Sequence, residues 1–292
     1  MSQPVRCRGG YIWHMTDSLP RRAVLAGGAF LLPTIARAAE TPFAGLEKQA
    51  GARIGVAALD TGSGKFVGWR TSERYVMCST FKLSLAAAIL AKTDRGKEAL
   101  GRPIRIGPDV PLGVSPATRK NIGQDMTIAQ LCEAAVVFSD NGAANTLLKA
   151  LGGPQALTAY WCSLGDQVTR LDDIEPKLNI PDGARNTTTP AAMLGNLKTL
   201  LLGEALSPAS RARLLGWMRA TTTGANRLHA GLPQAWQWGD KTGTSDPRYG
   251  LVNDIGIATI PGRSPILMVA YTERGNEKTV AAVGNILAGA FA

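Results

Sequence analysis

The chain reads as an α+β protein, on three observations. Short apolar runs bounded by turn signals lie towards both ends of the chain. The middle shows helical periodicity instead. No repeat and no low-complexity linker separates the two patterns. Strands supplied by both ends would close one antiparallel sheet, and the middle would form a separate helical lobe against it.

Taken in order, residues 40–52 suit a first helix, 53–60 a strand, Thr61-Gly62-Ser63-Gly64 a turn and 65–70 the returning strand. After Ser79 the helical pattern is apolar nearly all round, which predicts a helix buried at the centre. Residues 127–151 are helical again, broken by a turn at Ser139-Asp140-Asn141, and Gly152-Gly153-Pro154 starts another helix. Residues 171–190 are rich in Pro, Asp and Asn and lack periodicity, so they read as a long loop carrying function. Helices follow at 190–202 and 208–221. Strands return at 236–244, 253–260 and 266–271, and a last helix runs from about 278 to 291.

With 292 residues, 45% of them hydrophobic and only 18% charged, the chain can bury a large core and is not a disordered one. The net charge is +10. Part of it sits in residues 1–38, where Arg6, Arg8, Arg21, Arg22 and Arg37 face only Asp17. No Lys/Arg block with interleaved aromatics is present, so the basic balance reads as a solvated surface and not a nucleic-acid site. A positive field also favours an anionic substrate.

The N-terminus reads as an export signal. Arg21-Arg22 precede an apolar run at 23–35, and Ala36-Arg37-Ala38 fits a small-x-small cleavage site. The run is too short to span a membrane. The paired arginines after Ser18-Leu19-Pro20 fit a twin-arginine signal, with Val24 at its usual phenylalanine position. Cleavage near Ala38/Ala39 would leave 39–292 as one two-lobed catalytic domain, periplasmic, monomeric and without stable membrane association. Cys7 falls in the leader. Cys78, Cys132 and Cys162 remain, as three buried thiols or as one bridge and one thiol.

Ser79 and Lys82 share one helix face. A serine hydroxyl becomes a nucleophile when a base takes its proton, and a buried lysine can serve. The dipole at a helix N-terminus favours negative charge developing at Ser79. In Ser139-Asp140-Asn141 a hydroxyl can pass a proton to a leaving nitrogen, and the Asn141 amide can hold a carbonyl. In Lys241-Thr242-Gly243 the lysine offers a positive charge, and the glycine would let a substrate approach the backbone. Any one cluster is weak evidence, but the three in this order are strong. His229 is the only histidine outside the leader, so a Ser-His-Asp triad and a His-rich zinc site are excluded.

The three clusters resemble the class A β-lactamases, and the resemblance covers roughly residues 40–292. It implies an α+β fold with the active site between sheet and helical lobe. It also implies hydrolysis of the β-lactam amide of penicillins or cephalosporins through an acyl-enzyme on Ser79, with no cofactor and no metal. Ser79, Lys82, Ser139, Glu175 and Lys241 would be catalytic. Asn141, Asn179, Thr242, Gly243, Thr244 and Arg227 would bind substrate, and the backbone N–H groups of Ser79 and Thr244 would form the oxyanion hole. The stretch from Arg170 to Asn179 resembles the loop bearing the family's general base. Glu175 would activate the deacylating water, Asn179 would hold it, and Asn145 would brace the loop. The Glu175–Pro176 bond is a candidate cis peptide.

The chain also departs from the family pattern. Asp173 and Asn186 stand where an Arg–Asp clamp usually closes this loop, and 179–182 is about two residues short, so a more mobile loop is expected. Val114 stands where an aromatic residue often guards the cleft. Residues 245–250 hold a short insertion, and Cys78 faces Ser245 where some relatives have a disulfide. Alternative readings are a penicillin-binding D-Ala-D-Ala peptidase, which normally lacks a counterpart of Glu175, and a non-turnover β-lactam sensor.

Overall fold

The computed structural model describes residues 41–110 and 113–292, so the proposed leader lies outside the described residues. Helix α1 (Pro42–Ala50) leads into strands β1 (Arg53–Asp60), β2 (Phe66–Trp69) and β3 (Tyr75–Val76). A 3-10 turn at Cys78–Thr80 runs directly into α2 (Phe81–Asp94). Then come β4 (Pro103–Arg105), β5 (Asp125–Thr127), α3 (Ile128–Val137), α4 (Asn141–Leu151), α5 (Pro154–Ser163) and β6 (Thr187–Thr188). The chain closes with α6 (Pro190–Leu201), α7 (Pro208–Arg219), β7 (Gln237–Thr244), β8 (Val252–Thr259), β9 (Ile266–Glu273) and α8 (Glu277–Phe291).

Local chemistry sets most of these boundaries. Thr41 caps α1, which has Pro42 in its first turn and ends at Gly51 in the left-handed region. Thr127 and Gln130 form a reciprocal capping box at the start of α3, and Asn276 and Thr279 do the same for α8. Pro154, Pro190 and Pro208 each occupy a first turn, where the missing N–H costs no helical bond.

The five long strands form one antiparallel sheet in the order β2-β1-β9-β8-β7. Strand β1 pairs with β9 along its full length, from Arg53 opposite Glu273 to Asp60 opposite Ile266, so both ends of the described chain share the sheet centre. Alternate residues face two different cores. Ile54, Val56, Met268 and Ala270 pack with Phe43, Val280 and Leu287 of α1 and α8. Ala57, Leu267, Val269 and Tyr271 face the helical lobe instead. Burial on both faces explains why these strands read as nearly continuous apolar runs.

Helix α2 is the axis of the helical lobe. Every residue from Phe81 to Ala91 is buried, which includes Lys82. The α+β class, the two-ended sheet and the buried helix after Ser79 agree with the sequence expectations. The two-residue pair β3–β6 and the short pair β4–β5 do not follow from the sequence, because elements that short carry no periodicity. Among the described residues no helix is long and apolar enough to cross a membrane. Cys78 and Cys132 are buried free thiols, whereas Cys162 is not free.

Leu85, wholly buried near the middle of α2, reports on this core. Leu85→Ala is expected to lower unfolding stability by about 2–5 kcal/mol through lost transfer energy and a residual cavity. Denaturant titration checks it, and a loss under about 1 kcal/mol would show that α2 is not the packing centre.

Candidate active site

The site lies where the edge strand β7, the start of α2, the α3–α4 turn and the 171–186 loop meet. Its first component is the sharp turn into α2. Cys78 takes a left-handed backbone, with φ of 47°, immediately before Ser79. Thr80 Oγ1 donates to the Met77 carbonyl at 2.8 Å, and the Asn253 amide on β8 donates to the Val76 and Met77 carbonyls at 2.9 and 3.2 Å. Side chains of the sheet therefore hold the Ser79 turn in place. A Cβ at Gly243 would sit 2.6 Å from the Met77 carbonyl oxygen, so glycine is required there for β7 to lie against this turn. That is a different reason from the substrate approach expected for Gly243.

Ser79 Oγ donates to Glu175 Oε1 at 3.1 Å, and Lys82 Nζ lies 3.0 Å from the same oxygen. Lys82 also donates to the Ser139 carbonyl at 2.7 Å and to Asn141 Oδ1 at 2.5 Å. Burial pushes the Lys82 pKa down, and the charge on Glu175 opposes that shift. Using the Asn141 oxygen on Lys82 leaves the amide N–H2 of Asn141 to donate elsewhere.

Ser139 also has a left-handed backbone, with φ of 56°, and the next residue, Asp140, caps α4 by accepting from Ala143 N–H at 2.8 Å. Asp140 further accepts from the backbone N–H groups of Ala117 and Thr118 and from the Thr118 hydroxyl, which fixes the turn. The strained conformer aims Ser139 two ways. Its carbonyl meets Lys82, and its Oγ accepts from Lys241 Nζ at 3.0 Å. Burial, with the neighbouring charge of Lys82, lowers the Lys241 pKa to about 7.

The loop after α5 carries Glu175 on a cis Glu175–Pro176 bond. Asn145 on α4 grips the backbone of Glu175 in both directions, donating to its carbonyl at 2.9 Å and accepting from its N–H at 2.9 Å. Asn179 donates to Glu175 Oε2 at 2.6 Å, while its own Oδ1 has no protein partner. The loop is held by a network other than the usual clamp, which corrects the expectation of a loosely held loop. Asp173 pairs with Arg185 at 2.8 Å and Lys177 at 2.8 Å, and accepts from the Asn186 amide at 3.0 Å. Asn186 Oδ1 in turn accepts from Asp172 and Asp173 N–H at 2.9 and 3.0 Å.

Arg227 completes the far wall. It is 5% exposed and not a surface arginine, and it donates to the carbonyls of Gly243 and Asn253 and to Thr244 Oγ1 at 3.0, 2.7 and 2.7 Å. Ser79, Val114, Ser139, Asn141, Asn179, Thr223, Arg227, Thr242 and Thr244 line one cavity of about 170 Å³. Sequence reasoning missed Thr223, whose Oγ1 lies 2.6 Å from Thr242 Oγ1. It also missed Asn253, although a polar Asn-Asp pair inside an apolar strand was a visible signal. His229 is exposed, in a turn beyond Arg227.

A buried serine and lysine, a second serine on a second lysine, and a glutamate on its own loop define a serine acyl-transfer hydrolase. The profile of the "Beta-lactamase enzyme family" matches residues 38–291. The carbapenem-hydrolyzing β-lactamase KPC of Klebsiella oxytoca is 43% identical over 89% of this chain and 91% of its own. A β-lactamase of Streptomyces albus G is 45% identical over 81% of this chain and 77% of its own. An ancestral class A β-lactamase structure superposes with a TM-score of 0.82 at 52% identity, over 85% of this chain and 98% of that one. The chain belongs to the class A β-lactamases, enzymes that hydrolyse the β-lactam ring and so confer antibiotic resistance.

The loop network makes a testable demand. Its cationic and amide partners hold the Asp173 carboxyl down from 3.8 to about 2. Stability from this depressed group is fully present above about pH 4 and is lost as pH falls through about 2. Asp173→Ala is expected to lose on the order of 1–2 kcal/mol at neutral pH, since the pairs are partly solvated, and the difference from wild type should vanish near pH 2. Calorimetry from pH 2 to 7 measures this, and a pH-independent difference would refute it.

Proposed function

We propose that Ser79, Lys82, Glu175, Ser139 and Lys241 carry out the ring opening in two stages. Ser79 Oγ attacks the β-lactam carbonyl while its proton passes to Glu175. The backbone N–H groups of Ser79 and Thr244 stabilise the oxyanion. The C–N bond then breaks, and the ring nitrogen takes a proton from Ser139, which Lys241 polarises; the proton held by Glu175 passes by way of Lys82 to restore Ser139, leaving an ester on Ser79 and Glu175 ionised again. In the second stage Glu175 deprotonates a water held by Asn179. The hydroxide attacks the ester carbonyl, and Ser79 leaves with its proton restored. Asn141 donates its amide to the substrate, and Thr242 and Arg227, with Lys241, receive its carboxylate. Gly243 keeps β7 close enough for Thr244 to reach the same carbonyl.

The observation that carries this reading is the contact among Ser79, Glu175 and Lys82. Lys82 Nζ is taken up by three acceptors, Glu175 Oε1, the Ser139 carbonyl and Asn141 Oδ1, and Ser79 is not among them. The Ser79 hydroxyl points at Glu175. Glu175 therefore takes the first proton, and Lys82 supplies the positive charge that steadies the carboxylate and the developing oxyanion. Glu175→Ala is expected to slow both formation and hydrolysis of the penicilloyl adduct on a Ser79 peptide, followed over time by mass spectrometry, with nitrocefin turnover down at least about 10³-fold. Turnover near that of wild type, or an adduct elsewhere, would overturn the assignment.

We also propose that residues 1–38 are an export signal of the twin-arginine type, cleaved near Ala38/Ala39, leaving 39–292 as a monomeric periplasmic domain. Support comes from Arg21-Arg22 ahead of the short apolar run, and from a family match that begins at residue 38. Replacing Arg21 and Arg22 with lysine should leave precursor in the cytoplasm, as read by fractionation. Undiminished export would point to the general secretory route.

A further inference from the structure

A second and larger cavity, of about 750 Å³, has no part in these steps. Its volume suits a small-molecule site. Among the described residues, none lines both this cavity and the catalytic one. One wall is α4, where Gly142, Asn145, Thr146 and Lys149 recur at helical spacing and so share a face. The 102–110 segment supplies most of the rest, and Ile174 of the long loop joins it. A Cβ at Gly142 would fall 2.9 Å from Val110 Cγ1, so glycine lets that segment lie close against α4.

The surface of the cavity is largely aliphatic. Ile106 and Leu148 are buried, Ile104, Val110 and Pro154 are half-buried, and Ile174 is 47% exposed. No aromatic ring is among the described lining residues, so stacking has no part in recognition and a flexible chain fits better than a flat body. The charged lining residues are Arg102, Arg105, Lys149 and Asp109. Arg102 is held by Glu98 at 2.6 Å and Arg105 by Asp125 at 3.3 Å. Lys149 makes no ion pair or hydrogen bond among the described residues. Helix α5 starts at the same rim, where Gly153 is its N-cap and no side chain caps its first N–H groups. That end adds positive potential beside Lys149. Asp109 shares the rim and would repel a second negative charge, which favours a monoanion.

The cavity also adjoins the general-base loop. Ile174 immediately precedes Glu175, and Asn145 holds both backbone groups of Glu175 at 2.9 Å. The Leu178 N–H donates to the Ile174 carbonyl at 3.1 Å. A molecule in the cavity would therefore rest on α4 and on the loop together. Such a molecule selects the arrangement in which the two keep this spacing.

We propose that this cavity binds an unbranched aliphatic monocarboxylate of the fatty-acid kind. Its chain lies against Ile104, Val110 and Ile174, its carboxylate sits on Lys149, and its presence braces the loop against α4. The proposal does not depend on which step Glu175 catalyses.

Decanoate is the probe. Titration of the isotope-labelled protein, followed by NMR, should give saturable amide shifts in residues 102–110 and 142–150, with a Kd on the order of 10⁻⁴ M for a ligand of this size. Decan-1-ol keeps the chain without the charge and should bind about tenfold more weakly. Lys149→Glu should weaken decanoate by at least about tenfold, and Ile174→Glu by as much. Both residues are exposed, so both variants should fold. Saturating decanoate should slow hydrogen exchange of the 175–180 amides by at least about threefold. Shifts centred instead on Ser79, Ser139 and Thr244 would put decanoate in the catalytic cavity and overturn the proposal. So would the absence of saturation at about 10 mM, far above the expected Kd, or an unchanged affinity in Lys149→Glu. Saturation with unaltered exchange would overturn the bracing of the loop.

Discussion

Lys82 puts a basic side chain, a positive charge when protonated, wholly inside the core of the helical lobe. Removing such a charge from water costs several kcal/mol unless it is paired and hydrogen-bonded. The structure meets that demand with Glu175 from the long loop, the Ser139 carbonyl from the α3–α4 turn, and Asn141 from the start of α4. The acceptors come from two stretches far apart in the chain, Ser139-Asp140-Asn141 and the loop bearing Glu175. The burial of one cation therefore obliges the loop, the turn and helix α2 to converge on a point about one side chain from Ser79. The left-handed backbone of Ser139 follows from the same demand, because that residue must direct its carbonyl one way and its hydroxyl another.

Lys241 and Arg227 form a second layer of positive charge, linked to the first through Ser139. The two lysines bind opposite ends of one residue, so the charge on each depresses protonation of the other. Asp240 offsets this at Lys241, while Glu175 offsets it at Lys82. The cleft is thus strongly cationic yet internally compensated. That balance suits a site expected to bind a carboxylate and to stabilise an oxyanion.

The 171–186 loop is closed by residues other than the Arg–Asp pair that the family resemblance implied. Its usual Arg–Asp closure is absent, yet Asp173 gathers Arg185, Lys177 and Asn186, and Asn186 returns its oxygen to two backbone N–H groups. Arg170 pairs with Asp172 on the same loop. The partners lie at most fourteen positions apart within this one segment, so the loop is closed on itself. The Asn145 grip on the Glu175 backbone then ties the closed loop to α4.

The sequence by itself determined the α+β class, the two-ended sheet, the buried helix after Ser79, and the five chemical groups that meet in the cleft. These were legible because period-two and helical patterns, helix-capping residues and short motifs are local properties of the chain. Tertiary structure alone decided the rest. Gly243 proved to matter for the approach of β7 to Met77, and the loop found its own closure, because both depend on neighbours distant in sequence. The placing of Asp240 and Asp254 on one face of the sheet was equally hidden, since strand register sets it and no spacing in the chain reports it. Whether a lysine is solvated or enclosed, and which carboxyl faces it, is fixed by packing, and the electrostatics of this site follow from that packing.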